Sequence, residues 1–320
     1  MDELTQQLTQ HDEPAAAGDD YQSALARGFV PIRDVARLTG VNAVTLRAWE
    51  RRYGLIVPHR TAKGHRLYSA DHVAQVQTIL TWLNRGVSVG QVKGLLHANQ
   101  PAFAEATSQW DEKCQRLQEA ICNLAERRLD ECFNSELALY PPHTLCKQLL
   151  LPLLDALELR WRGRFGAQAE RVFFYSWLRS KLGARLYHNN RQQGGAPLLL
   201  VNLSDLPMEP GLWLTAWLAS SAGSAVEVFD WPVPPAELAM VIEHIQPKAL
   251  LLYSSQALHS AHWRRLQAGY TCPCLVIGPA AHIHHQELQA LARQNNALGM
   301  APDPLSALHI LSDLNLLDRQ

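Results

Sequence analysis

No run in the 320-residue sequence approaches the ~20 consecutive apolar residues that a membrane-spanning helix needs. A membrane partner is therefore not expected. C-x-x-C pairs are also missing, which argues against the common redox and zinc motifs. The six cysteines (Cys114, Cys122, Cys132, Cys146, Cys272, Cys274) are scattered and read as free, small core residues of a reducing compartment. There is no glycine-rich phosphate loop of the P-loop or dinucleotide type and no nucleophile elbow. With no recognisable catalytic centre, the chain is not expected to be an enzyme. Met1 to Asp20 lacks the basic head and apolar middle of a signal peptide, so the expected location is the cytoplasm.

Net charge is scarce too, at −1, but it is unevenly placed. Residues 28–97 hold ten Arg and Lys against three acids, a net of +7, and six acids lie in the first 20 residues. A compact basic segment joined to a near-neutral body is the footprint of a nucleic-acid-binding module attached to something else. The apolar fraction of 47% is ample for a buried core, and the length suggests two or three domains.

Residues 1–27, polar and acidic, read as a disordered tail. From Ile32 a helical period runs to Gly40, and Asn42 can cap a second helix, Ala43 to Tyr53, closed by Gly54. The short gap is that of a helix-turn-helix. Residues 59–68, with Gly64 at the tip, read as a hairpin or wing. On a wheel of ~100° per residue Leu46, Trp49 and Tyr53 share one face, whereas Val44, Arg47, Ala48 and Arg51 lie opposite, flanked by Thr45 and Arg52. Arginine can bond guanine bidentately and small apolar groups can touch a thymine methyl. Wing residues Arg60, Lys63, His65, Arg66 and Tyr68 suit phosphates or the minor groove.

The segments Ile32-x-x-Val-Ala-x-Leu-Thr-Gly-Val, Thr45-Leu-Arg-Ala-Trp-Glu-Arg-Arg-Tyr-Gly-Leu55 and Gly64-His-Arg-Leu-Tyr68 resemble the winged helix of the MerR family, its CarH/LitR and MlrA-like branch most closely. This resemblance covers about 70 residues. It implies a homo-oligomer, a dimer or dimer of dimers, on double-stranded promoter DNA with repeated half-sites. RNA polymerase would be reached indirectly, with activation favoured over repression. It also points to Arg47, Arg51, Arg52, His65, Arg66 and Tyr68 as DNA contacts.

Residues 105–190 carry apolar positions at three- and four-residue spacings, among them Leu117, Leu145, Leu149, Phe173 and Trp177, enough for a four-helix bundle. From 196 to 320 five short apolar runs alternate with helical stretches at 211–222, 234–245, 259–268, 284–294 and 303–317. This pattern predicts a flavodoxin-like, five-stranded parallel α/β domain. The expected class is thus α plus α/β: winged helix-turn-helix at 28–97, bundle at 105–190, α/β domain at 196–320.

Bundle and α/β segment together are similar to the cobalamin-binding module of the same branch, but the ligand pattern is broken. Where the family pattern reads E-x-D-x-H-x-x-G, this chain reads Ser204-Asp-Leu-Pro-Met-Glu-Pro-Gly211. The positions of the Glu, the Asp and the axial His hold Ser204, Leu206 and Met208. A thioether is a weak substitute for an imidazole whose basicity a carboxylate tunes. On the opposite face the family has a Trp and, about ten residues later, a Glu-His pair. Here Glu170 precedes Arg171, and Trp161 is one place out of register. Ser254-Ser255 and Gly278-Pro279-Ala280 resemble the strand ends that house the nucleotide tail. The expectation is a degenerate cobalamin-type sensor, or a docking module for a regulatory protein, with no cofactor. The alternatives are a cobalamin-dependent, light-responsive regulator and a metal sensor using His282, His284 and His285 with Cys272 and Cys274. Arg160, Arg162, Arg164 and Arg171 are a further candidate site for an anionic ligand.

Overall fold

A computed structural model describes residues 17–97, 103–294 and 297–317. The chain divides into two compact units: residues up to 85 together with 89–101, and residues 86–88 together with the chain from 102 onward.

The first unit begins with a helix, α1 (Ala17–Ala26), where the sequence suggests tail. The expected disorder of residues 1–16 lies outside the described residues. Packing explains the helix at 17–26: Ala24 is buried, the Tyr21 ring meets His65 edge-on at 5.9 Å, and the Phe29 N–H donates to the Ala24 carbonyl. Composition registers the polar residues but not the contacts that offset the cost of ordering them.

β1 (Val30–Pro31) leads into α2 (Ile32–Thr39), which Gly40 ends in the left-handed region at φ 70°. Asn42 accepts from the Thr45 N–H at 2.8 Å and so caps α3 (Ala43–Ala48). α3 continues into one π-helical turn, Trp49–Tyr53, closed by Gly54. β2 (His59–Arg60) and β3 (Arg66–Tyr68) form the wing, and β1 pairs with the other side of β3. α4 (Ala70–Asn84), capped by Ser69, and α5 (Val89–His97) complete the winged helix-turn-helix. Its core contains Val35, Leu46, Trp49, Leu55, Ile56, Leu67 and Ile79, each about 1.5–3 kcal/mol of transfer free energy.

The second unit starts with four helical stretches: α6 (Phe103–Cys122), α7 (Glu126–Leu137), then α8 (Pro142–Leu145) running through a π turn into α9 (Leu151–Trp161), and α10 (Ala167–Asn190). Leu117, Phe133, Leu149, Leu153, Phe174 and Leu182 fill their core. Phe174, rather than the expected Phe173, is the fully buried ring; Phe173 is half-buried.

β4 (Leu198–Asn202), α11 (Pro210–Ser221), β5 (Val226–Phe229), α12 (Leu238–Ile245), β6 (Ala249–Tyr253), α13 (Ser260–Ala268), β7 (Cys274–Ile277), α14 (Pro279–Ile283), α15 (His285–Gln294), β8 (Leu298–Ala301) and α16 (Pro304–Asp313) follow. Among the described residues the sheet is five-stranded and parallel, ordered β5-β4-β6-β7-β8. That is the doubly wound, flavodoxin-like order, whose switch point lies between β4 and β6. Helix and sheet segments belong to the same compact unit. The apolar α11 is sandwiched between α10 and α16, and Asn190 bonds both the N–H and the carbonyl of Val226 at 3.2 and 2.7 Å.

Candidate nucleic-acid interface and switch-point crevice

α3 and its π turn present Arg47, Arg51 and Arg52 as exposed side chains, with Val44 60% exposed beside them. Lys63 and His65 are exposed at the wing, whose tip is held by the Gly64 N–H to the Thr61 carbonyl at 2.7 Å. Trp49 and Leu46 are buried on the opposite face, as the wheel predicts.

Two residues expected at the DNA are placed elsewhere. Thr45, in the first turn of α3, is fully buried, its N–H given to Asn42. Tyr68 is buried at 1% exposure, since β3 is the central strand of the small sheet. Burial first, then the Glu50 charge, pushes its phenol up to about 12.

Arg60 and Arg66 are already engaged. Arg60 Nη2 donates to Glu50 Oε1 at 2.6 Å and Arg66 Nε to Glu50 Oε2 at 2.5 Å. Burial alone would raise the Glu50 carboxyl, but these two hydrogen bonds and the arginine charges hold it below its ordinary value. Glu50 is not among the residues that the helix wheel or the family resemblance assigns to DNA. Its signal was there: it is the lone acid in residues 35–70, among seven Arg and Lys.

In the second unit the switch-point loops hold the residues of the broken cobalamin pattern. Ser204 is buried and donates to Asn202 Oδ1 at 2.8 Å; Leu206 is 39% exposed; Met208 is buried. Protein groups stitch the two loops together. Glu209, buried, accepts from the Ser255 N–H at 3.1 Å and its hydroxyl at 2.6 Å. The Asp205 N–H donates to Gln256, and the Asp205 carboxylate meets His259 at 3.1 Å.

The Tyr253 ring lies against Gly211 and Gly278. A Cβ on Gly211 would lie 2.1 Å from its hydroxyl, and one on Gly278 would lie 3.0 Å from its ring and 2.8 Å from the Ser254 carbonyl. Gly278 also sits at φ 93°. Gly211→Ala is therefore expected to destabilise. Overpacking costs about 1–3 kcal/mol and outweighs the gain of at most about 1 kcal/mol from replacing a helical glycine. A thermal melt checks this, and Gly211→Ala/Tyr253→Leu should recover most of the loss.

On the bundle side Arg160 grips Glu170 at 3.0 and 3.1 Å and Trp161 Nε1 donates to it at 3.0 Å. The Arg160 hydrogen bonds are the main cause holding Glu170 below its ordinary pKa. Arg171 lies over the Trp161 ring at 5.1 Å and bonds Glu158, which also accepts from Tyr175 at 2.7 Å. Of the four arginines suggested as an anion site, Arg160 and Arg171 thus have carboxylate partners, while Arg162 and Arg164 are exposed. His284 Nε2 accepts the Leu258 N–H at 3.0 Å, and burial pushes the Cys274 thiol up. Among the described residues no group of three or more His, Cys, Asp and Glu is placed to hold a metal ion, and no helix is long and apolar enough to cross a membrane.

The profile of the MerR HTH family regulatory protein matches residues 30–99, and that of a B12 binding domain matches residues 113–186. Over 198 residues the chain is 31% identical to the HTH-type transcriptional regulator MlrA of Salmonella typhimurium, covering 62% of this chain and 78% of that one. The MlrA of Escherichia coli is 30% identical over the same shares. The HTH-type transcriptional repressor CarH of Myxococcus xanthus is 26% identical over 288 residues, 82% of this chain and 92% of that one. A capped helix-turn-helix with a wing in a three-stranded sheet, joined to a helical and flavodoxin-like unit, accompanies these matches: the chain belongs to the MerR family of helix-turn-helix regulatory proteins.

Proposed function

We propose that the protein is a cytoplasmic, sequence-specific regulator of transcription. It binds double-stranded promoter DNA as a homo-oligomer and reaches RNA polymerase indirectly, and it is not a catalyst. The observation that carries this reading is the set of exposed arginines 47, 51 and 52 on one capped helix beside an exposed Lys63 and His65. Arg47 and Arg51 read base edges, whereas Arg52, Lys63 and His65 meet phosphates. Activation is the proposed sign, on the resemblance alone; a promoter fusion in cells with and without the protein decides it.

The second unit serves as a degenerate cobalamin-type sensor or as a docking and oligomerisation module, its cobalamin binding lost. Three features support this: Met208 and Leu206 at the ligand and partner positions, the stitched loops, and the Tyr253 ring in the slot between Gly211 and Gly278. The residues present do not fit a cobalamin held by an imidazole and a buried tail. The B12-binding-domain match favours the second reading, a cobalamin-linked, light-responsive regulator.

One measurement separates them. The purified protein is mixed with adenosylcobalamin and methylcobalamin in the dark, free ligand is removed, and the visible spectrum and elution volume are recorded. The expected result is no retained corrin absorption and an unchanged elution volume. A stoichiometric corrin spectrum would establish the second reading instead.

A further inference from the structure

We infer that Glu50 is a positioning residue that withholds the two wing arginines from sequence-independent phosphate binding and ties the wing to the recognition helix. The inference rests on the DNA-binding reading above. Each carboxylate oxygen takes one arginine, Arg60 at 2.6 Å and Arg66 at 2.5 Å. Glu50 and Arg66 have side chains only 12% and 14% exposed, whereas Arg60 is 49% exposed at the rim. A carboxylate and a phosphate offer arginine the same fork of acceptors. Glu50 therefore occupies the donors that a DNA backbone would otherwise engage.

The placement has two consequences for binding. Affinity for any DNA grows with the number of phosphates neutralised, and so does its salt dependence, by about 0.9 in log–log slope per phosphate. The Glu50 triad carries one net positive charge instead of two, which caps that number. The same carboxylate sits in the π turn that follows α3, so the wing strands and the base-reading helix are held as one body. Phosphate contacts fix register only if they are rigidly placed relative to the base contacts. Loosening the wing therefore harms the specific complex while adding free cations to the non-specific one.

The test is a salt titration of affinity for promoter DNA and for a scrambled duplex, with full-length protein. Glu50→Gln keeps the shape and removes the charge. It is expected to bind the scrambled duplex several-fold more tightly at low salt, to steepen its salt slope by about one to two, and to narrow the ratio of specific to non-specific affinity. Glu50→Asp, which restores the charge, should return the slope toward wild type, and Glu50→Gln/Arg60→Gln should remove about one unit of the increase. Arg60→Gln alone, at an exposed and tolerant position, should flatten the wild-type slope far less than Lys63→Ala does. The inference is overturned if Glu50→Gln leaves the slope unchanged or weakens both duplexes alike. It also fails if Arg60→Gln flattens the slope as much as Lys63→Ala, a readout available even where Glu50→Gln does not fold. Absence of wild-type binding to either duplex would overturn the DNA-binding reading itself, and this inference with it.

Discussion

Arg47→Ala is expected to weaken promoter binding by about 1–3 kcal/mol, roughly 5- to 150-fold, and to relax discrimination at the base pairs it reads. The size follows from chemistry. A bidentate arginine–guanine pair is worth that much against the wrong base, and its loss leaves acceptors on the base edge facing water rather than a designed partner. Arg47 is placed for this role by a short chain of causes. Gly40 turns the backbone, Asn42 caps the helix, and Leu46 and Trp49 bury the opposite face, so Arg47 has nowhere to go but outward. Lys63→Ala is the contrast. A wing-tip lysine is a point charge with no base to read, so its removal should weaken every sequence alike and reduce the salt slope by about one. Competition mobility-shift assays against promoter and scrambled duplexes at two salt concentrations separate the patterns. Equal losses on both duplexes for Arg47→Ala would place it on the backbone and leave base reading to Arg51 or to residues outside α3.

Much of this architecture was legible because burial writes itself into sequence in simple periods. A parallel strand covered on both faces is a near-continuous apolar run, and Leu198–Asn202 and Ala249–Tyr253 are buried along their whole length. Helix ends were legible where a cap or a left-handed glycine punctuates them, as at Asn42, Gly40 and Gly54. The expected helix from 234 was less exact, beginning only at Leu238, because Pro235 disfavours helical backbone at Pro234 and a turn follows over 235–237. What was not legible depends on distance along the chain. Glu50 meets partners 10 and 16 residues away only once the wing has folded back over the helix. Its place in the wing and the family resemblance point to Tyr68 as a DNA contact, and nothing local says that its strand is the central one. Tyr253 lying across Gly211 and Gly278 joins three segments that share no local signal; two glycines and a tyrosine are each ordinary at a strand end. Trp110 shows the same point: it is buried with its ring packed on that of Tyr140, and no local pattern announces that contact.

That buried ring packs beside a largely buried ion pair of the second unit. Lys113 on α6 forms an ion pair with Glu136 on α7 and donates to the Tyr140 hydroxyl at 3.2 Å. Its ammonium lies 4.9 Å from the centre of the Trp110 ring and 4.5 Å from that of Tyr140, rings that themselves pack at 4.7 Å. Side-chain exposures of 12% and 10% for the ion pair mean that solvent does little to screen it. Two charges drawn out of water are held mainly by each other, so removing one leaves the other with the desolvation cost and no return. Lys113→Met should therefore destabilise the unit by several kcal/mol, within the roughly 3–5 kcal/mol seen when a buried pair is broken. Its lower end is favoured because Arg116, 3.8 Å from Glu136, supplies part of the missing charge. Lost cation–π contact with the two rings adds about 1 kcal/mol or more. Lys113→Met/Glu136→Leu should recover most of the loss, because an apolar pair of similar volume carries no uncompensated charge. Denaturant unfolding of the single and double variants forms a cycle whose coupling term is expected to be large and favourable. Additive losses would mean that α6 and α7 are joined by the apolar packing of Trp110 and Tyr140, with the ion pair a bystander.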